Sequence, residues 1–186
     1  MEHTMLKKLL PLVAIAALFT GCASTETKTS ESAPALNNDE YYEVHHDGRI
    51  NIFYDAGVYK EFLQLGETSY RKTYIGAGPN GETIVYGLTK ADKKMKTPIP
   101  SIEMVEGRME GAAEGFYAEI RNEGRIYVFD DWNEVKGFRQ VGEAPYRFTQ
   151  IGAGPEGETV VFVLTKEKKK KQPTDLMKKF DEFYKS

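Results

Sequence analysis

Tyr70–Lys90 reads YRKTYIGAGPNGETIVYGLTK, and Tyr146–Lys166 reads YRFTQIGAGPEGETVVFVLTK. Upstream, GRINIF at Gly48–Phe53 is answered by GRIYVF at Gly124–Phe129. At an offset of 76 residues about 27 of roughly 50 positions are identical, far beyond what shared composition produces. The chain therefore reads as a duplicated module, with repeat 1 at residues 41–90 and repeat 2 at 117–166. Residues 91–116 form a connector with a short helix, and 167–186 a Lys-rich segment followed by a C-terminal amphipathic helix.

Each repeat carries the same local signals. Asp47-Gly48 and Glu123-Gly124 lie between extended, β-branched and aromatic runs, the pattern of a two-residue hairpin. Alternation puts Ile50 and Ile52 on one face and Phe53 on the other, and likewise Ile126 and Val128 against Phe129. Asp55 and Asp131 are placed as helix N-caps, with Glu134 completing a capping box in the second copy. The helices run to Leu65 and Val141, burying Phe62/Leu65 and Phe138/Val141, and stop at Gly66 and Gly142. Two more strands follow, with Ile84, Tyr86 and Leu88 sharing a face, as do Val160, Phe162 and Leu164. The predicted fold is α+β: two tandem ββαββ repeats, each a mainly antiparallel four-stranded sheet with a helix on one face, plus a C-terminal helix. Ser101 is expected to cap the connector helix, and Leu176, Phe180 and Phe183 to line the docking face of the last one.

Gly76–Gly81 and Gly152–Gly157 both satisfy G-x-G-x-x-G. The dinucleotide fingerprint needs a helix after the glycines, so that pyrophosphate sits on its N-terminus. Here Thr83-Ile84-Val85 and Thr159-Val160-Val161 follow instead, and Pro79-Asn80-Gly81 is turn chemistry. These stretches read as hairpin corners, not nucleotide sites.

The chain carries a net charge of −3. Loss of residues 1–21 removes Glu2, Lys7 and Lys8, leaving 23 Lys+Arg against 27 Asp+Glu, or −4. That balance argues against nucleic-acid binding, which relies on clustered positive charge. One cysteine allows no intramolecular disulfide and no cysteine zinc site. His45 and His46 are adjacent in an extended run and point to opposite faces, so they do not read as two ligands of one metal. No cofactor or metal motif is expected.

At the amino terminus Lys7 and Lys8 precede an apolar run, Leu9–Phe19, too short to span a bilayer. Leu18-Phe19-Thr20-Gly21-Cys22 follows, with Phe19 where leucine is usual. This stretch resembles the lipobox of bacterial lipoprotein precursors. The resemblance implies removal of residues 1–21 as a signal peptide and acylation of Cys22 by palmitate-type chains, which anchor the protein to a membrane. Ala23, rather than Asp, after the cysteine implies the outer membrane facing the periplasm where the organism has two membranes. Residues 22–40, rich in Ser, Thr, Glu and Asn, are expected to form a disordered tether.

Polar residues held in both copies supply the candidate sites. Arg49/Arg125, Tyr70/Tyr146, Arg71/Arg147 and Glu82/Glu158 form a possible binding surface, with Gln64/Gln140 and Glu67/Glu143 also repeated. Arg71 pairing with Glu67 or Glu82 to set strand register is the structural alternative. The residues favour a lipid-anchored, non-enzymatic binding or assembly module with an envelope protein partner. Two alternatives stay open: a small-ligand carrier with a pocket between the repeats, and an envelope enzyme using Asp55, Asp131, Glu67 and Glu143.

Overall fold

The computed structural model of the chain describes residues 36–94 and 98–185. The expected signal segment, Cys22 and the tether through residue 35 lie outside the described residues. Each half begins with a hairpin, β1 (Glu40–His46) with β2 (Arg49–Phe53), and β5 (Tyr117–Asn122) with β6 (Arg125–Phe129). At the first turn Asp47 and Gly48 both have positive φ (48° and 69°), as do Glu123 and Gly124 at the second (51° and 71°). A two-residue turn of this hand matches the twist of the flanking strands.

Helix α1 (Ala56–Leu65) follows β2, and α3 (Trp132–Val141) follows β6. Asp55 accepts the Val58 N–H, and Gly66 and Gly142 close the two helices in the left-handed region. Asp131 accepts from Asn133 rather than from Glu134, so the cap is present without the expected box. Phe62 and Phe138 are buried as expected, but Leu65 and Val141 are exposed. Each is the last helical residue before its glycine cap. Strands β3 (Arg71–Tyr74) with β4 (Thr83–Gly87), and β7 (Arg147–Gln150) with β8 (Thr159–Val163), are antiparallel pairs around the Gly-rich corners.

The expectation of separate four-stranded sheets is corrected by the strand order. All eight strands form one mixed sheet, β3-β4-β2-β1-β5-β6-β8-β7. The halves join through β1 and β5, which pair in parallel with Tyr42 opposite Glu119 and Glu43 opposite Ile120. Joining there pairs two edges that would otherwise stand open to other chains. The halves meet through like edges and extend away from the join, and the register is offset by one residue from the repeat, with Tyr42 opposite Glu119 and not its equivalent Ala118. The halves are therefore related by rotation about an axis along the strands, which exchanges the faces of the sheet.

The cores follow that exchange. On one face α1 and α4 (Thr174–Lys185) cover Tyr42, Phe53, Ile126, Val128 and Phe162. On the other, α2 (Pro100–Val105) and α3 cover Tyr41, Ile50, Ile52, Tyr86, Ile120 and Phe129. The central strands are thus covered on both sides, and the C-terminal helix docks through Leu176 and Phe180. Ser101 does not cap α2. Ile99 holds that position, Pro100 opens the first turn, where a missing N–H costs nothing, and Ser101 is buried within the helix. Residues at the end of the expected tether are pinned: Asn37 and Asn38 donate to the carbonyls of Tyr54 and Glu110, and Tyr117 donates to that of Asp39. No helix among the described residues is long and apolar enough to cross a membrane.

Two equivalent clefts as the candidate functional site

Strand alternation sends Arg49, Asn51, Thr83, Val85, Arg71 and Thr73 to one side of the outer sheet. The register places Arg49 beside Thr83, then Asn51, Val85 and Thr73 in one row, then Gly87 beside Arg71. The end of α1 and the turn through Glu67 and Thr68 wall this surface, making an open cleft of about 470 Å³. The second half builds the same cleft, about 570 Å³, from Arg125, Tyr127, Glu143, Ala144, Arg147, Thr149, Thr159 and Val161. Ile75 and Ile151 sit at corresponding places and are 89% and 90% exposed.

The two clefts share both arginines, one glutamate, two threonines, the valine, the isoleucine and the C-cap glycine. Asn51/Tyr127 and Thr68/Ala144 differ, Phe62 lines only the first, and Glu123 adds a second carboxylate to the second. Among the described residues Arg49, Arg71 and Glu67 make no ion pair, so the register role for Arg71 is not what the structure shows. In the second cleft Arg125 reaches Tyr127 Oη at 3.5 Å, and Arg147 donates to the Ala144 carbonyl at 2.8 Å.

The rest of the predicted surface is divided. Tyr70 lies one residue before Arg71 and therefore packs on the opposite face, with Lys93 Nζ over its ring at 5.3 Å; Lys169 covers Tyr146 at 4.6 Å. Glu82 and Glu158 close the Gly-rich loops. The Glu82 carboxylate accepts the Asn80 N–H (2.8 Å) and Nδ2 (3.0 Å), and these bonds hold its pKa below the ordinary carboxylate value. Glu158 accepts the Glu156 N–H at 2.8 Å and binds Arg121. A Cβ on Gly78 would lie 2.5 Å from Glu82 Oε2, so this glycine is needed for close approach, while Gly76 and Gly81 carry positive φ. In each loop one backbone amide donates to the glutamate carboxylate, and the amides of Gly78, Gly81, Gly154 and Gly157 donate to carbonyls of the same loop, which accounts for the G-x-G-x-x-G pattern as hairpin geometry.

Two buried carboxylates that the sequence reading passed over lie at the join between the halves. Glu43 accepts from Tyr41 Oη and from Arg139 Nε of α3 (2.8 Å), and pairs with His45 at 2.5 Å. Burial alone would raise its pKa, but His45, Arg139 and Tyr41 outweigh it and hold the carboxyl below its ordinary value. Glu119, at the equivalent position on the other face, accepts from the hydroxyls of Tyr59 of α1 (2.8 Å), Tyr117 (2.5 Å) and Tyr184 (2.6 Å). Its burial dominates and pushes the carboxyl up, with the three tyrosines and Arg121 opposing. Each carboxylate thus takes a hydrogen bond from the helix of the other half. Their visible signal was Tyr-x-Glu, which puts tyrosine and carboxylate on one buried face.

These placements bear on the enzyme and carrier alternatives. Asp55 and Asp131 are spent as caps, Glu67 and Glu143 lie in separate clefts, and Glu43 and Glu119 lie on opposite faces, so no two of these carboxylates share a cleft. His46 pairs with Asp47, apart from His45. The cleft between the halves, about 260 Å³, sets Lys60, Gln64, Arg121 and Glu156 beside Leu63, Pro155 and the rings of Phe183 and Tyr184, so its lining is mixed polar and apolar. Comparisons of the chain with protein-family models, with curated proteins and with solved structures find no match.

Proposed function

We propose that this is a lipid-anchored cell-envelope protein whose two ββαββ modules act as a non-enzymatic unit with two binding sites for an envelope protein. The observation that carries this reading is the pair of clefts with the same exposed Arg, Glu and Arg. Structural contacts have changed in kind between the halves: Tyr54 donates to Asp92 (2.5 Å) in a buried hydrogen bond, whereas the equivalent pair, Asp130 with Lys168 (2.6 Å), is an exposed ion pair. Glu43 and Glu119 likewise keep their positions and the tyrosine two residues before, but their other partners differ, His45 and Arg139 against Tyr59 and Tyr184. Exposed arginines are the cheaper positions to lose, since surface changes cost within about 0.5 kcal/mol. Their persistence in both halves, where structural contacts drifted, fits a shared ligand chemistry. The acyl chains on Cys22 supply the membrane contact and residues 23–35 the reach away from it.

A photo-crosslinking side chain placed at Ile75 or Ile151 of the lipidated full-length chain tests this in its own envelope. An envelope protein trapped from both positions, and lost in an Arg71→Ala/Arg147→Ala variant, is the expected result. Recovery of no partner together with a co-purified small molecule overturns the reading. For the anchor, Cys22→Ser should release the chain from the membrane fraction; retention there removes lipidation from the proposal.

A further inference from the structure

Among the described residues the sheet ends on β3 and β7, each with one side that pairs with no other strand. Such an edge is a template for a further strand, and cations on it discourage pairing with a second copy. Both edges are four residues long and open on arginine, Arg71-Lys72 on β3 and Arg147 on β7. Two copies set edge to edge would bring these cations together, whereas a segment bearing carboxylates meets the opposite balance. Inward, each cleft sets two arginines beside glutamate, Glu67 in the first and Glu123 with Glu143 in the second. Arg49 pairs with Thr83 and Arg71 with Gly87, four residues further along β4, so the arginines bracket about 13 Å along the strands. Ile75 and Ile151 add an exposed apolar contact at the cleft ends.

Resting on the reading of the clefts as binding sites, we propose that each sheet edge, with the cleft behind it, takes an extended acidic protein segment by strand addition, one segment per half. The edges lie about 34 Å apart across eight strands and the clefts open on opposite faces, so one short segment cannot fill both. The two sites act independently, and a partner is held at two points.

Titration of the full-length chain in detergent with the acetylated, amidated peptide Asp-Val-Glu-Val-Asp, followed by calorimetry, tests this. Two peptides per chain are expected, one after Arg71→Ala or Arg147→Ala alone, and none after both. The Lys-Val-Lys-Val-Lys analogue should not bind, and methylation of alternate backbone nitrogens should weaken the acidic peptide at least tenfold. Peptide binding that ignores backbone methylation overturns strand addition. Binding of inorganic phosphate or phosphatidylglycerol vesicles in place of the peptide, lost in the double variant, overturns the peptide ligand but leaves the clefts as binding sites. Peptide binding that survives the double variant, or no binding of peptide, phosphate or vesicles alongside failed envelope crosslinks, overturns both proposals.

Discussion

Glu43→Ala should destabilise the protein by loosening the join between its halves. The substitution strands the Tyr41 hydroxyl, which has no exposure, and removes the carboxylate facing Arg139, whose side chain is 20% exposed. An unsatisfied buried hydroxyl costs about 1–3 kcal/mol. Breaking a buried ion pair by removing one partner costs about 3–5 kcal/mol. His45 and Arg139 each keep some contact with solvent, so the total should fall near the lower end, about 3 kcal/mol. For a domain of this size that lowers Tm by about 6–12 °C. Denaturant titration and calorimetry of Glu43→Ala, Arg139→Met and the double variant give the coupling directly. Glu43 belongs to β1 and Arg139 to α3, so coupling between them measures the joining of the halves. Loss of less than about 1 kcal/mol, or a coupling below about 0.5 kcal/mol, would refute the role given to this carboxylate.

Further outcomes follow from the same contacts. Glu43, its pKa depressed by folding, contributes stability above the unfolded-state carboxylate pKa of about 4.3 that is lost as pH falls. Glu119, its pKa raised, contributes stability below that value that is lost as pH rises, so Glu43→Gln and Glu119→Gln should show opposite pH slopes relative to wild type in denaturation midpoints. Gly87→Val should cost about 1–3 kcal/mol even though Val163 stands at the equivalent position, because a Cβ at Gly87 would lie 2.4 Å from the Phe53 ring; unchanged thermal stability would contradict that packing. Arg71→Ala and Arg147→Ala should leave stability within about 0.5 kcal/mol of wild type, and a larger loss by denaturant titration would return these arginines to a structural role.

Local chemistry was readable from the residues alone. Asp-Gly and Glu-Gly turns, Asp caps, Gly stops and the alternation of Ile50, Ile52 and Phe53 each depend on neighbours within about four positions, and the structure places them as read. The repeat also pointed to Arg49, Arg71 and Glu67 before any contact was known. Reading alternate positions through β3 and β4 would have gathered Thr73, Ile75, Thr83 and Val85 with them. The same alternation would have separated Tyr70 from Arg71.

Tertiary structure alone decided the rest. Which edges meet depends on pairing between strands some seventy residues apart, and no local pattern distinguishes β1 beside β5 from two separate sheets. That one parallel pairing reverses the faces of the halves, sends α1 and α3 to opposite sides and buries Glu43 and Glu119 against the helix of the other half. It also leaves β3 and β7 as the outer edges, with an arginine cleft behind each, so the repeated residues of the Gly-rich hairpins become two separate sites.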